Sequence, residues 1–247
     1  MLTIVIPTLQ KNKETLYTLI DTLDLDSSVG EIIVIDNSLK GIENISTKLR
    51  VITPEENLYV NPSWNLGVRK AQNQKIGLLN DDIIISEDFC TQISKFITPE
   101  IGILGMNFKN VIQINKVQDT PKSTTIQITP IKYRDFAYGT ALFFHKNSFH
   151  EIPDEMKITY GDDWIFEKNL AIKKQNYKIT GQNIYHLGSI SSGLKTFNPV
   201  CKNDAKVFKK LTMTWKKRFF SFQEYYDCFK LRFLGLTLKF KKGKNAR

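Results

Sequence analysis

The sequence predicts an α/β fold with a mostly parallel central sheet and helices on both faces. Three observations carry that prediction. Strand-like and helix-like patterns alternate about every 10–15 residues over residues 1–100, the rhythm of βαβ units. The strand candidates are continuous apolar runs, as strands covered on both sides require. The acidic residues of greatest interest stand where those runs end, and strand ends are where open α/β sheets bind ligands.

The elements follow in order. Leu2–Pro7 is a short β-branched run closed by proline, a strand. Asn12–Leu23 carries Leu16, Leu19, Ile20 and Leu23 at helical spacing. Glu31–Ile35 is a buried strand ended by Asp36-Asn37-Ser38, and Lys48–Ile52 is a third, ended by Pro54. Pro62–Ala71 reads as a helix with Asn61 as N-cap and Pro62 in its first position. Lys75–Leu79 is the fourth strand, and Ser86-Glu87-Asp88 opens a helix that turns Phe89, Ile93, Phe96 and Ile97 inward.

Beyond residue 100 the rhythm changes. Ile101–Phe108, Val111–Val117 and Thr124–Ile131 read as strands, with the polar stretch Asn115–Thr125 as a flexible loop. Tyr138–Phe144 is an apolar strand entered through small residues. Asp162–Lys174 is a helix, and Tyr177–Thr180 and Asn183–His186 are short strands. Residues 204–220 place Val207, Phe208, Leu211, Trp215 and Phe219 at helical spacing among lysines. Ser221 and Glu224 suggest a capping box for a second helix carrying Tyr225, Tyr226 and Phe229. The expected division is therefore a main domain over 1–203, with halves 1–100 and 101–203, and a basic amphipathic helical extension over 204–247.

Charge follows the same division. Residues 206–247 hold 13 of the 35 Lys and Arg but 2 of the 25 Asp and Glu, a net of +11, and the rest of the chain carries −1. Such asymmetry marks an interaction surface for membrane or nucleic acid, or else an amphipathic helix that closes the core of the main domain with its lysines solvated. No run of about 18 apolar residues exists to span a bilayer. The N-terminal residues lack the basic leader of a signal peptide. Three widely spaced cysteines, Cys90, Cys201 and Cys228, fit free thiols in a reducing compartment rather than a disulfide framework.

Four groups of residues can carry chemistry. Asn80-Asp81-Asp82 ends the apolar run Ile76–Leu79. Two carboxylates there ask for a cation or a basic partner, and Mg²⁺ or Mn²⁺ is often held by one or two carboxylates plus a substrate's phosphates. Asp36 can accept a hydrogen bond from a nucleobase or a ribose hydroxyl, or it can close an Asx-turn. Asp162 and Asp163 open a helix, where they either cap it or supply a general base. His186 ends a short strand, either as a structural histidine or as a metal ligand beside a carboxylate. Asn65 and Arg69, by themselves, read as a helix surface.

Taken together and in order, these pieces resemble the family 2 glycosyltransferases, which have the GT-A fold. The resemblance rests on Thr3–Thr8, Ile33–Ser38, Asn57 through Asn65-Leu66-Gly67-Val68-Arg69-Lys70-Ala71, Leu78–Asp82, Tyr138–Ala141, Gly161–Asp163 and Tyr185-His186. It implies that Pro7, Thr8 and Asp36 line a nucleotide site, joined by Asn65, Arg69, Asn80 and Asp81. It implies that Asp82 and His186 bind a divalent cation, Mn²⁺ or Mg²⁺. Asp163 falls at the catalytic base and Asp162 at the acid facing the acceptor. Asn80 departs from the family's first DXD acid, as in rhamnosyltransferase-like members.

The activity implied is inverting transfer of a sugar from a nucleotide-diphosphate donor to a glycan or lipid-linked acceptor in surface polysaccharide, lipopolysaccharide or capsule synthesis. The tail then places the enzyme in the cytoplasm, peripheral on the inner face of an anionic membrane. Two rival readings are a sugar transferase acting on modified nucleic acid and a non-catalytic, membrane-associated nucleotide-sugar-binding protein. A nucleotidyltransferase is disfavoured because Pro7–Lys11 holds no glycine for a phosphate loop.

Overall fold

A computed structural model describes residues 1–43, 46–117, 120–188, 198–212, 220–224, 228–233 and 236–241. In chain order the elements are β1 (Leu2–Thr8), α1 (Lys13–Leu25), β2 (Val29–Asp36), β3 (Leu49–Ile52), α2 (Val60–Lys70), β4 (Lys75–Leu79), β5 (Ile83–Ile84), α3 (Phe89–Ser94), β6 (Ile103–Met106), β7 (Val111–Gln113) and β8 (Gln127–Ile131). There follow β9 (Ala141–His145), α4 (Gly161–Ala171), β10 (Asn176–Thr180), β11 (Ile184–His186), α5 (Asn198–Thr212), β12 (Phe220–Glu224), β13 (Cys228–Phe233) and β14 (Leu236–Lys241).

The central sheet has eight strands in the order β3-β2-β1-β4-β9-β6-β10-β8. β1 pairs in parallel with β2 and β4, β2 with β3, and β6 with β10. β9 runs antiparallel between β4 and β6, and β8 lies antiparallel on β10. A small second sheet orders β5-β11-β7.

Alternate strand residues serve opposite faces. Ile4, Ile6, Ile32 and Val34 join Leu16, Leu19, Ile20 and Leu23 of α1 and Phe89 and Ile93 of α3 in one core. Val5, Ile33 and Ile35 join Trp64 and Val68 of α2 and Trp164, Ile165 and Phe166 of α4 in the other. Helices therefore cover both faces, as the continuous apolar runs foretold. Close approach of α2 to β1 depends on Gly67, where an added Cβ would lie 2.2 Å from Val5 Cγ1.

The structure departs from expectation at four places. α2 begins at Val60, and Asn61 is not its cap: the N-cap is Tyr59, at φ 64°, whose side chain does not cap the helix. The Asn61 amide instead donates to the carbonyls of Met156 and Thr159. β5 is too short to announce itself. The strand expected over Tyr138–Phe144 begins at Ala141, after a 3-10 turn at Tyr138–Thr140.

The fourth departure is the extension. Its described helix, α5, is given to Thr212, and the described residues from Phe220 on form a three-stranded antiparallel sheet, β12-β13-β14. The reason is a period of two: Phe220-Ser221-Phe222-Gln223, Phe229-Lys230-Leu231-Arg232-Phe233 and Leu236-Thr237-Leu238-Lys239-Phe240 alternate apolar and polar residues. Ser221 and Glu224 are thus strand residues, not a capping box. Trp215, Phe219, Tyr225 and Tyr226 lie outside the described residues. α5 runs through the division expected at 203/204. Asp204 is fully buried, and Val207 and Phe208 pack against the second core.

Among the described residues no helix is long and apolar enough to cross a membrane. Cys90 is buried and Cys201 partly buried, both with free thiols.

Candidate active site

The carboxyl ends of β1, β2 and β4 open into a cavity of about 530 Å³. Register explains its first wall. β1 and β4 pair Val5 with Leu78, and three residues further each strand reaches Thr8 and Asp81. The Thr8 hydroxyl donates to Asp81 Oδ2 at 2.5 Å. Burial, with the Asp82 charge adding to it, pushes the Asp81 carboxyl up to about 6 against that hydrogen bond.

The second sheet supplies His186. β5 and β11 pair Ile83 with His186, and Leu187 N–H donates to the Asp82 carbonyl at 2.9 Å. Asp82 Oδ1 and His186 Nε2 consequently lie 3.1 Å apart. Gln113 of β7 holds the other ring nitrogen, Nδ1, at 2.9 Å. Asp82 Oδ1 and His186 Nε2 are buried without any hydrogen bond of their own. An orphaned carboxylate oxygen facing an orphaned imidazole nitrogen is a donor pair suited to a divalent cation. Among the described residues no cluster of three or more His, Cys, Asp or Glu forms such a site. A cation that also takes substrate phosphate oxygens needs no third protein ligand.

Another part of the wall is the first turn of α4. Asp162 and Asp163 follow Tyr160-Gly161, where no side chain caps the helix. Helix N-termini favour negative charge. Asp162 packs on Gly139 of the 3-10 turn, where a Cβ would come within 2.8 Å of its Oδ2. Arg134, from the loop before that turn, forks across both acids. Its Nη1 is 2.8 Å from Asp162 Oδ2 and its Nε 2.7 Å from Asp163 Oδ1. Burial and the neighbouring Asp162 raise the Asp163 carboxyl to about 6, with Arg134 pulling the other way. Arg134 is itself held more firmly protonated by the two acids, against its burial.

The residues expected from sequence divide cleanly. Pro7, Thr8, Asn80, Asp81, Asp82, Asp162 and Asp163 all line the cavity, and His186 adjoins it through Asp82. Asp36 is fully buried behind it. Its Oδ1 accepts from Gln10 Nε2 and from Ser38, and its Oδ2 from Gly41 N–H. Burial raises this carboxyl, but the bonds from Ser38, Gln10 and Gly41 outweigh it and hold it below the usual range. Asp36 thus shapes a turn, and its neighbour Asn37 lines the cavity.

Asn65 and Arg69 do not line it. The Asn65 amide is spent on Ile152, donating to its carbonyl at 2.7 Å and accepting its N–H at 3.0 Å. Arg69 pairs with Glu151 at the surface. Both belong to the packing of α2 against residues 151–152 rather than to a donor site.

Sequence reasoning missed Arg134, Tyr160 and Phe208. One signal existed for the first: Arg134 is the sole arginine between Arg69 and Arg218, and arginine is the side chain that forks onto carboxylates.

A cavity at the strand ends of such a sheet, with acids on two walls, defines a GT-A transferase fold. Residues 3–170 match the model of glycosyl transferase family 2, and the chain belongs to that family. Among solved structures it resembles S. aureus TarS 1–349, at 14% identity and TM-score 0.52, over 87% of this chain and 73% of that one. TarS 1–349 in complex with UDP-GlcNAc matches at 14% and 0.54, over 84% and 66%. GalNAc-T7 with UDP, GalNAc and Mn²⁺ matches at 11% and 0.63, over 88% of this chain and 49% of that one. No curated protein matches the sequence significantly.

Proposed function

We propose that this glycosyltransferase is an inverting enzyme using a nucleotide-diphosphate sugar, with Asp163 as its general base. The observation that carries the reading is that two acidic groups share one cavity. Asp163, raised to about 6, lines the same cavity as Thr8, Asp81 and Asp82. A base poised near neutrality suits removal of a proton from a hydroxyl. The likeness to TarS with UDP-GlcNAc and to GalNAc-T7 with UDP supports a nucleotide-sugar donor.

Asp163 takes the proton of the acceptor hydroxyl as its oxygen attacks the anomeric carbon. The new C–O bond forms on the face opposite the leaving group, and the bond to the diphosphate breaks with its electron pair. Configuration at that carbon inverts. Asp162 shares Arg134 with the base and stands ready for acceptor hydroxyls. Arg134 holds both acids in place, Asp163 through its Nε and Asp162 through its Nη1. Asp82 and His186 would hold Mn²⁺ or Mg²⁺, which when bound would neutralise charge on the departing diphosphate. Holding donor and acceptor together would supply much of the rate.

The acceptor in this reading is a glycan or lipid-linked sugar in surface polysaccharide, lipopolysaccharide or capsule synthesis. The enzyme works in the cytoplasm, peripheral on the inner face of the membrane. Its membrane contact falls to β13 and β14, where Phe233, Leu236, Leu238 and Phe240 are exposed among lysines. Co-sedimentation with anionic vesicles, with and without residues 206–247, tests that part; equal sedimentation of both forms refutes it.

The chemistry is tested by nucleoside diphosphate release from a panel of nucleotide sugars. Asp163→Asn is expected to abolish transfer and to keep donor affinity. Full turnover in that variant removes Asp163 as the base.

A further inference from the structure

Tyr160 and Phe208 both line the cavity, and their rings stack with centroids 5.0 Å apart and planes 22° apart. Phe208 arrives from α5, outside the segment matched to the family. Tyr160 immediately precedes the turn that carries Asp162 and Asp163. The aromatic pair and the candidate base therefore share one stretch of backbone.

That stretch is clamped from two sides. Below, Asn61 of α2 bonds the carbonyls of Met156 and Thr159, and its N–H donates to Lys157. A Cβ on Gly161 would come within 2.2 Å of Asn61 Oδ1, so the chain lies directly on α2. Above, the buried Asp204 carboxylate of α5 accepts the N–H groups of Lys157, Ile158 and Thr159. Between the clamps Tyr160 takes the left-handed conformation, φ 65°. That conformation is unfavourable for a residue with a side chain. The contacts hold the ring at the cavity wall in spite of that cost.

We propose that Tyr160 and Phe208 form a stacking platform for a pyranose ring of the acceptor. Aromatic faces carry negative charge density, and sugar ring C–H bonds present its complement. A pyranose has one such apolar face and a rim of hydroxyls. The wall offers both counterparts: the aromatic pair for the face, and Asp162 and Asp163 for the hydroxyls. The platform lies by chain adjacency with the base. Thr8, Asp81 and Asp82 stand at the ends of β1 and β4, where Asp82 with His186 would hold the cation that a donor diphosphate needs. The ring on the platform is accordingly the acceptor's rather than the donor's. The proposal deepens the transferase reading above and rests on it.

The test is saturation-transfer NMR on the full chain with methyl pyranosides of the gluco, galacto and rhamno series. Ring C–H signals are expected from at least one pyranoside. Phe208→Leu keeps apolar volume and removes the aromatic face, and it is expected to weaken that binding about three- to tenfold, the worth of one stacked contact. Phe208→Trp is expected to retain it, and Lys209→Ala, on the exposed side of α5, to leave it unchanged. No signal with any pyranoside, or equal signal in Phe208→Leu, overturns the platform. Absence of donor turnover in the wild type instead overturns the transferase reading, so the two failures are distinct.

Discussion

Removing the Arg134 cation is expected to move the acid limb of the pH–rate profile upward. The guanidinium touches Asp163 at 2.7 Å and Asp162 at 2.8 Å, and it opposes the burial that lifts Asp163 to about 6. A unit charge about 4 Å away is worth about 4 kcal/mol at an effective dielectric of about 20. The Arg134 side chain is 29% exposed, so solvent takes part of that. What remains, about 1.5–3 kcal/mol, corresponds to about one to two pH units.

The sign is fixed by the role. A base must be ionised, and without its cation Asp163 ionises later. In Arg134→Met the limb of kcat/KM for transfer is expected to rise from about 6 to about 7–8. Arg134→Lys keeps the charge, and its limb is expected to stay near the wild-type position. The assay is nucleoside diphosphate release with acceptor present, across pH about 5 to 9. An Arg134→Met limb unmoved from wild type refutes the electrostatic reasoning.

Three further outcomes are expected. Asp82→Ala and His186→Ala should each weaken Mn²⁺ binding about tenfold or more, counted as free Mn²⁺ by electron paramagnetic resonance; unchanged binding in both excludes the pair as ligands. Asp204→Ala leaves three backbone N–H groups without their acceptor and should cost about 2–4 kcal/mol in urea unfolding. Gly67→Ala drives a methyl group into Val5 and should cost about 1–3 kcal/mol by the same measurement; a neutral result means that α2 lifts off β1 freely.

The sheet was legible because its signals are local. Runs such as Ile32–Ile35 are apolar on both faces, and α1 repeats its leucines at helical spacing. Asp81, Asp82 and Asp163 were legible because acids at a strand end and at a helix start need a reason to be there. His186 was harder. Its place beside Asp82 depends on β5, two residues long, pairing with a strand about a hundred positions away. Asn65 and Arg69 misled because an asparagine that reads a ligand and one that binds Ile152 look alike in sequence. The extension misled because Ser221 and Glu224 look like a capping box, whereas from Phe220 the period is two and the residues form a strand.

The family match stops at residue 170, yet the cavity wall borrows Phe208 and the Asp204 anchor from α5. Asp162, Asp163 and the ring beside them thus depend on two stretches of chain, because Asp204 of α5 fixes residues 157–159 just ahead of them. A chimera that joined residues 1–170 to a relative's following segment would keep Asp162 and Asp163 but lose the Asp204 anchor unless that segment supplied a carboxylate at the same place. An exchange of α5 that keeps Asp204 and varies Phe208 would change the ring at the cavity wall while leaving the anchored backbone ahead of Asp162 and Asp163 in place.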